Sequence, residues 1–256
     1  MSSLSADLDP TRRVLRLSGP DTAHFLQGLV TNDVAKTASN AVYAAMLGPQ
    51  GKYIADFLLI ADGDDILLDV DKEAAAGLMQ RLTMYKLRAN VQISETSLSV
   101  FRGLQNAPQG ALQDPRHPDL GWRLYTQDHP PHSAADINWT ALHVTLAIPQ
   151  TGIELTANDS YILEYDFERL NGVDFRKGCY VGQEVTARMH HKTTLKKGLR
   201  KVQINGVAEP GTEITAGGKP VGTLHSVSGG AALAFIRFDR AQGEMQAGPA
   251  TVTLID

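Results

Sequence analysis

Cysteine is almost missing from this chain: 256 residues contain one, Cys179. That excludes an intrachain disulfide and suits a reducing compartment. There is no Cys-x-x-Cys, no His-Glu-x-x-His, no nucleotide-binding glycine loop and no recognisable Ser-His-Asp nucleophile motif. No apolar run approaches the ~20 residues that a bilayer-spanning helix needs, so no membrane association is expected. Positive charge is also short, 24 Lys and Arg against 28 Asp and Glu, for a net charge of −4. Such a balance argues against a protein that coats nucleic acid, and direct nucleic-acid binding is not expected. Met1–Pro10 has two Asp and no Lys or Arg, unlike a secretory signal or a basic transit peptide. These absences predict a soluble, cytoplasmic protein.

What is present reads as α+β. Arg13–Leu17 alternates and predicts a strand; Gly19-Pro20-Asp21 breaks it, and Asp21 is placed to cap a helix running to Val34. Residues 42–70 read as a meander, with strands over 42–47, 53–61 and 66–70 separated by Gly48-Pro49-Gln50-Gly51 and Asp62-Gly63-Asp64-Asp65. Asp56 stands among apolar neighbours in the middle strand, where the plain reading is the polar face of an alternating strand. Asp71 predicts a capped helix over 72–87 with Ala75, Leu78, Met79, Leu82 and Tyr85 on its buried side. Arg88 follows it, either as a cation favoured by the helix dipole or as part of an anion site. Pro130-Pro131 marks a connection, and residues 136–148 predict a further helix. From Leu199 the period turns β-like, with turns at Asn205-Gly206, Pro210-Gly211, Gly217-Gly218 and Gly229-Gly230, so 196–256 predicts a small β-barrel.

The lone cysteine sits in Arg176-Lys177-Gly178-Cys179-Tyr180-Val181-Gly182-Gln183-Glu184-Val185-Thr186-Ala187-Arg188. Arg176 and Lys177 would favour a thiolate if their side chains point at the sulfur. Gly178 and Gly182 permit positive φ or a close backbone approach. Glu184 and Arg188 lie four apart on a predicted helix, a spacing at which side chains can pair. The plain alternative is a small buried Cys in a glycine-bounded turn. A basic stretch follows, with Arg188, His190, His191, Lys192, Lys196, Lys197, Arg200 and Lys201 in an otherwise acidic chain.

Lys-Gly-Cys-Tyr-x-Gly-Gln-Glu-x-x-x-Arg resembles the signature of the YgfZ family of folate-binding proteins. That family includes a mitochondrial iron–sulfur assembly factor and is related to the aminomethyltransferase of the glycine cleavage system. Weaker matches fall in the same order at His24–Val34, Tyr85–Val91, Asp114–Arg116 with Gly121–Arg123, and the barrel. The resemblance implies three lobes around a central cavity: residues 1–100 as a folate-binding lobe, 101–195 as a second α+β lobe with the Cys motif, and 196–256 as the barrel. It implies tetrahydrofolate or a derivative as cofactor, with Glu164 and Asp56 on the folate side and Arg88, Tyr180, Gly182, Gln183 and Glu184 as further binding residues. It assigns chemistry to Cys179, Lys177 and Arg188, with Cys179 as a redox thiolate or as one ligand of an iron–sulfur cluster shared with a partner, since one cysteine cannot hold a cluster alone. It further implies iron–sulfur assembly or client proteins as partners, including enzymes that modify tRNA. The alternative is a folate-dependent one-carbon transferase. The related transferases carry two adjacent acids where this chain has Ala55-Asp56, which argues against that alternative.

Overall fold

The structure, a computed structural model, describes residues 4–128 and 132–255, so the Pro130-Pro131 connection lies outside the described residues. It divides into two compact units: Met1–Ile137 with Glu168–Gln183, and Asn138–Phe167 with Glu184–Asp256. The segment that carries Cys179 therefore belongs to the first unit.

In the first unit, β1 (Leu4–Ser5), β2 (Asp7–Leu8) and β3 (Arg12–Ser18) precede α1 (Thr22–Gln27). Then come β4 (Val42–Leu47), β5 (Tyr53–Asp62), β6 (Asp65–Asp71), α2 (Lys72–Lys86), β7 (Gln92–Glu95), β8 (Ser99–Gly103), β9 (Leu112–Gln113), β10 (Trp122–Thr126) and β11 (His132–Ser133). The strands form one five-stranded sheet, β4-β5-β6-β3-β7, one four-stranded sheet, β2-β8-β10-β9, and a parallel pair, β1-β11. Period-2 alternation sorts the first sheet's side chains. Val42, Ala44, Met46, Ala55, Phe57, Leu59, Leu68 and Val70 join Leu78 and Leu82 of α2 in the main apolar core. Asp71 caps α2 as expected, its Oδ1 accepting from Glu73 N at 2.9 Å.

The opposite face of that sheet is polar and yet buried. Arg12 Nε donates to Asp69 Oδ1 at 2.5 Å, Arg123 Nη1 reaches Asp69 Oδ2 at 3.1 Å, and the Tyr125 hydroxyl donates to the same oxygen at 2.9 Å. Arg116 grips Asp114 with two bonds, Nε to Oδ1 at 2.9 Å and Nη2 to Oδ2 at 2.7 Å. Arg123 Nε adds a third at 3.0 Å, and Arg102 pairs with Asp9 at 3.0 Å. Burial alone would push the Asp114 carboxyl up, but the Arg116 and Arg123 guanidinium groups hold it well below the usual range. An ionic layer thus joins strands of both sheets.

One helix is shorter than its sequence pattern predicts. α1 stops at Gln27 instead of running to Val34, because Val30 bridges Met46 and Thr31 N donates to Ala45 O at 2.9 Å. Pairing with β4 overrides the local helical period. Asp21 stands at the N-cap but gives α1 no side-chain bond; its Oδ2 accepts from Asn90 N at 2.7 Å instead.

The second unit holds α3 (Trp139–Leu146), most of α4 (Gln183–Lys192) and six strands: β12 (Lys197–Asn205), β13 (Glu213–Ala216), β14 (Lys219–Ser228), β15 (Ala231–Arg237), β16 (Met245–Ala247) and β17 (Ala250–Leu254). These close into a barrel in the order β12-β15-β14-β13-β16-β17. Its interior is filled by Val202, Ile204, Ile214, Val221, Leu224, Ala232, Ala234, Ile236 and Val252. The predicted turn glycines earn their place, Gly217, Gly218, Gly229 and Gly230 all having positive φ.

Candidate functional site

The Cys179 loop is a clamp with an open tip. Lys177 Nζ donates to the backbone oxygens of Gln27, the last residue of α1, at 2.7 Å and of Val30 at 2.5 Å. Carbonyls at a helix C-terminus are unsatisfied within the helix, and a cation is their natural partner. The same ammonium lies 4.8 Å from the centre of the Tyr180 ring. Burial pulls the Lys177 pKa down to about 8, against the upward pull of Asp33 and Asp174. The Lys177 side chain points to these carbonyls, and its bonds fasten the loop to the end of α1.

Three further contacts complete the clamp. Val181 N donates to Gly28 O at 3.2 Å. Gln183 and Tyr180 bond reciprocally: Gln183 N donates to Tyr180 O at 3.3 Å, and Tyr180 N donates to Gln183 Oε1 at 3.2 Å. Gly182 has φ +83, and a Cβ there would stand 2.6 Å from Gly48 O in the β4–β5 turn. Its lack of a side chain is required twice over, by conformation and by space. Gly178 needs neither; its φ is not positive and a Cβ would meet nothing within 4 Å.

Upstream, the chain is sewn to the same region. Thr31 Oγ1 donates to Gly172 O at 2.6 Å, Asn32 Nδ2 donates to Asn171 O at 2.7 Å, and Asp174 pairs with Lys36 at 2.7 Å. With both flanks held, Cys179 is left exposed. The buried-thiol alternative is therefore set aside, and the block His24–Val34 gains a physical reason: it is the anvil for the Cys loop.

Glu184 and Arg188 are exposed on α4 and form no ion pair with each other or with any other described residue, so the spacing alone did not make a pair. Arg88, exposed just beyond α2, likewise has no ion pair among the described residues. Asp56 is buried on the polar face of β5; the Tyr53 hydroxyl donates to Oδ1 at 2.6 Å and the Tyr43 hydroxyl to Oδ2 at 3.0 Å. Its burial near Arg12 was hidden from a strand-by-strand reading, although Asp69, among apolar residues of β6, carried the same signal.

Glu164 belongs to the second unit. It lies buried in a short 3₁₀ turn, Ile162–Tyr165, and lines a hollow of about 160 Å³ with Ser160, Tyr165, Lys197, His225 and Phe235. Lys197 Nζ is 3.5 Å from Glu164 Oε2. Tyr165 stacks on Phe235 with ring centres 5.1 Å apart, and burial raises the Tyr165 pKa to about 12. Sequence reading placed Lys197 in a basic stretch; elsewhere that stretch is tied down too, Lys201 Nζ donating to Thr145 O at 3.1 Å and Arg200 standing 3.9 Å from Asp166.

The fold defines a class first. It matches the crystal structure of the glycine cleavage system aminomethyltransferase T from Bartonella henselae, with a TM-score of 0.74, 12% identity, and coverage of 99% of this chain and 85% of that one. At that identity the match shows an aminomethyltransferase-like fold, with the C-terminal six-stranded barrel. Residues 196–256 match the model of the CAF17 C-terminal β-barrel domain. The chain is 30% identical to the human mitochondrial iron–sulfur cluster assembly factor IBA57, over 91% of this chain and 78% of that protein. It is 32% identical to the IBA57 homolog of Mycosarcoma maydis, over 85% of this chain and 59% of that protein. The protein belongs to the IBA57 family of iron–sulfur cluster assembly factors.

Proposed function

We propose that this protein acts in the assembly or repair of iron–sulfur clusters, including those of enzymes that modify tRNA, and that Cys179 is its point of contact with the cluster or its carrier. One observation carries the reading: the motif's bonds go to fixing the loop, while the single thiol is exposed at its tip. A thiolate is the form that ligates iron, so engagement releases the thiol proton to solvent. A lone thiolate leaves the other cluster positions to sulfur or nitrogen donors of an assembly or client protein. His190 and His191, whose Nδ1 atoms are 3.2 Å apart, are exposed on α4. The names of the IBA57 relatives, and the Lys-Gly-Cys-Tyr-x-Gly-Gln-Glu-x-x-x-Arg pattern shared with YgfZ proteins, support this role.

A reduced folate is the proposed cofactor, with Glu164 as its anchor. The fit rests on a buried carboxylate lining a hollow beside two stacked rings, where an aminopyrimidinone edge finds an acceptor and a flat apolar surface. When bound, a reduced folate supplies a one-carbon unit or reducing equivalents; the chain's residues bind and orient it. One-carbon transfer in the manner of the aminomethyltransferases is disfavoured, because both oxygens of Asp56 are engaged by tyrosine hydroxyls.

The test compares wild type with Cys179→Ser in a strain that lacks the protein. Cys179→Ser should fold and bind tetrahydrofolate like wild type while failing to restore iron–sulfur enzyme activity. Full restoration by the serine variant would remove Cys179 from the function.

A further inference from the structure

We infer that the end of α2 is a docking surface, centred on Met84, Leu87 and Arg88, for an acidic amphipathic segment of a partner protein. The surface is independent of the Cys179 and Glu164 readings above and uses none of their residues.

A leucine stands here where neither backbone conformation nor packing asks for one. Leu87 has φ +45 and ψ −105, and Ala89 N donates to Lys86 O at 2.8 Å. Lys86–Ala89 is thus a tight turn close to type II′, whose first central position suits glycine because a Cβ is strained there. Burial can offset such strain, but Leu87 is 86% exposed, and Met84, one turn earlier on the same face, is 69% exposed. The turn is also pinned. Asn90 N donates to Asp21 Oδ2 at 2.7 Å, and a Cβ on Gly19 would stand 2.3 Å from Asn90 O. A strained backbone, fixed in place, therefore holds two apolar side chains out in water.

Charge selects the partner. The chain has no Asp or Glu between Glu73 and Glu95, while Arg81, Lys86 and Arg88 form no ion pair among the described residues. Asp21 reaches the turn, but its carboxylate is taken by Asn90 N. The helix dipole accounts for cations at a C-terminus, not for Met84 and Leu87 exposed beside them. In a chain of net charge −4 this is a basic and apolar patch, and its complement is a segment whose carboxylates flank apolar side chains. A small anion would use the cations and leave the leucine without a purpose. Two apolar side chains are also far less than the broad face with which a helix lies in a membrane surface.

The test follows the Met84 ε-methyl group by NMR in protein with isotope-labelled methionine methyls. The probes are a synthetic amphipathic helix of repeated Leu-Glu-Glu-Leu, its Leu-Lys-Lys-Leu counterpart, and phosphatidylglycerol vesicles. In wild type the acidic peptide should shift the Met84 signal and the basic one should not. Leu87→Gly and Arg88→Glu should each bind the acidic peptide at least about 5-fold weaker, as expected for loss of an interface anchor and for a reversed charge. Leu87→Gly should also raise the thermal midpoint by about 2–4 °C, because glycine relieves the strained φ and little burial is lost. A midpoint that falls in Leu87→Gly would show a leucine kept for folding and overturn the inference. So would a Met84 signal that neither peptide moves, or that both move alike. If Met84 responds instead to the vesicles or to the protein's own concentration, the patch meets a membrane or a second copy, and the acidic partner is overturned.

Discussion

Asp56 and Glu164 are both buried acids that resemblance alone would place on the folate side, yet their surroundings differ in kind. Asp56 has a tyrosine hydroxyl on each oxygen, at 2.6 and 3.0 Å, on a sheet face otherwise occupied by an ionic layer. Glu164 lines a hollow and is met there by a half-exposed lysine at 3.5 Å. The first arrangement closes a carboxylate off within a sheet face; the second sets one in the wall of a hollow. Burial of an acid therefore does not mark a binding residue.

The sharpest way to break this comparison is to attack the layer on which Asp56's face depends. Asp69 accepts from Arg12, Arg123 and Tyr125, so Asp69→Ala takes a carboxylate away from two guanidinium groups and a phenol at once and should cost roughly 3–5 kcal/mol, although Arg123 keeps Asp114 and Arg12 keeps the backbone oxygen of residue 69. Asp56→Ala removes an acceptor from two buried phenols and should cost roughly 2–4 kcal/mol. Glu164→Gln keeps the shape and gives up the ion pair with a half-exposed lysine, so its cost should be the smallest of the three. Denaturant midpoints for the three variants check the order. Equal losses for Asp56→Ala and Glu164→Gln would erase the distinction between them.

The Cys loop holds the same contrast in two glycines. Gly182→Ala must put a Cβ 2.6 Å from a backbone oxygen at φ +83, and should cost about 1–3 kcal/mol. Gly178→Ala meets open space at an ordinary φ and should change stability by no more than about 0.5 kcal/mol. Mild proteolysis at the loop, or thermal midpoints, separates them. A Gly178→Ala variant as damaged as Gly182→Ala would mean that the tip is as constrained as its flanks.

What the sequence made legible follows the same division between local and distant causes. The barrel and the 42–70 meander were readable because alternation and turn glycines are encoded within a few residues of where they act. The Asp71 cap was readable for the same reason. Three things were not. α1 ends at Gln27 because the next residues pair with β4. Lys177 points to carbonyls 150 and 147 residues earlier in the chain. The polar face of the first sheet is buried by a second sheet whose Arg123 lies 54 residues beyond Asp69. A strand's alternation says that it has two faces, but not that both will be covered.

Acid sharpens the comparison with the smallest expected effect. Asp114 and Asp9 in the first unit are held below the ordinary carboxylate value of 3.8; burial opposes this, but Arg116 and Arg123 act on Asp114, and Arg102 and Arg123 on Asp9. Their contribution is complete above that value and fades as pH falls through the depressed native pKa values. His225, on the hollow of the second unit, is lowered from 6.5 chiefly by burial, with Glu154 opposing. Here the folded state binds fewer protons than the unfolded one between the depressed pKa and 6.5, so stability falls as pH drops below 6.5. The hollow should thus weaken at milder acidity than the ionic layer. Hydrogen exchange between pH 7.5 and 5 should show barrel amides around β14 losing protection while those of β5 and β6 hold theirs, and His225→Gln should flatten that difference. Loss of protection in both units at the same pH, unchanged by His225→Gln, would assign the acid response to something other than this histidine.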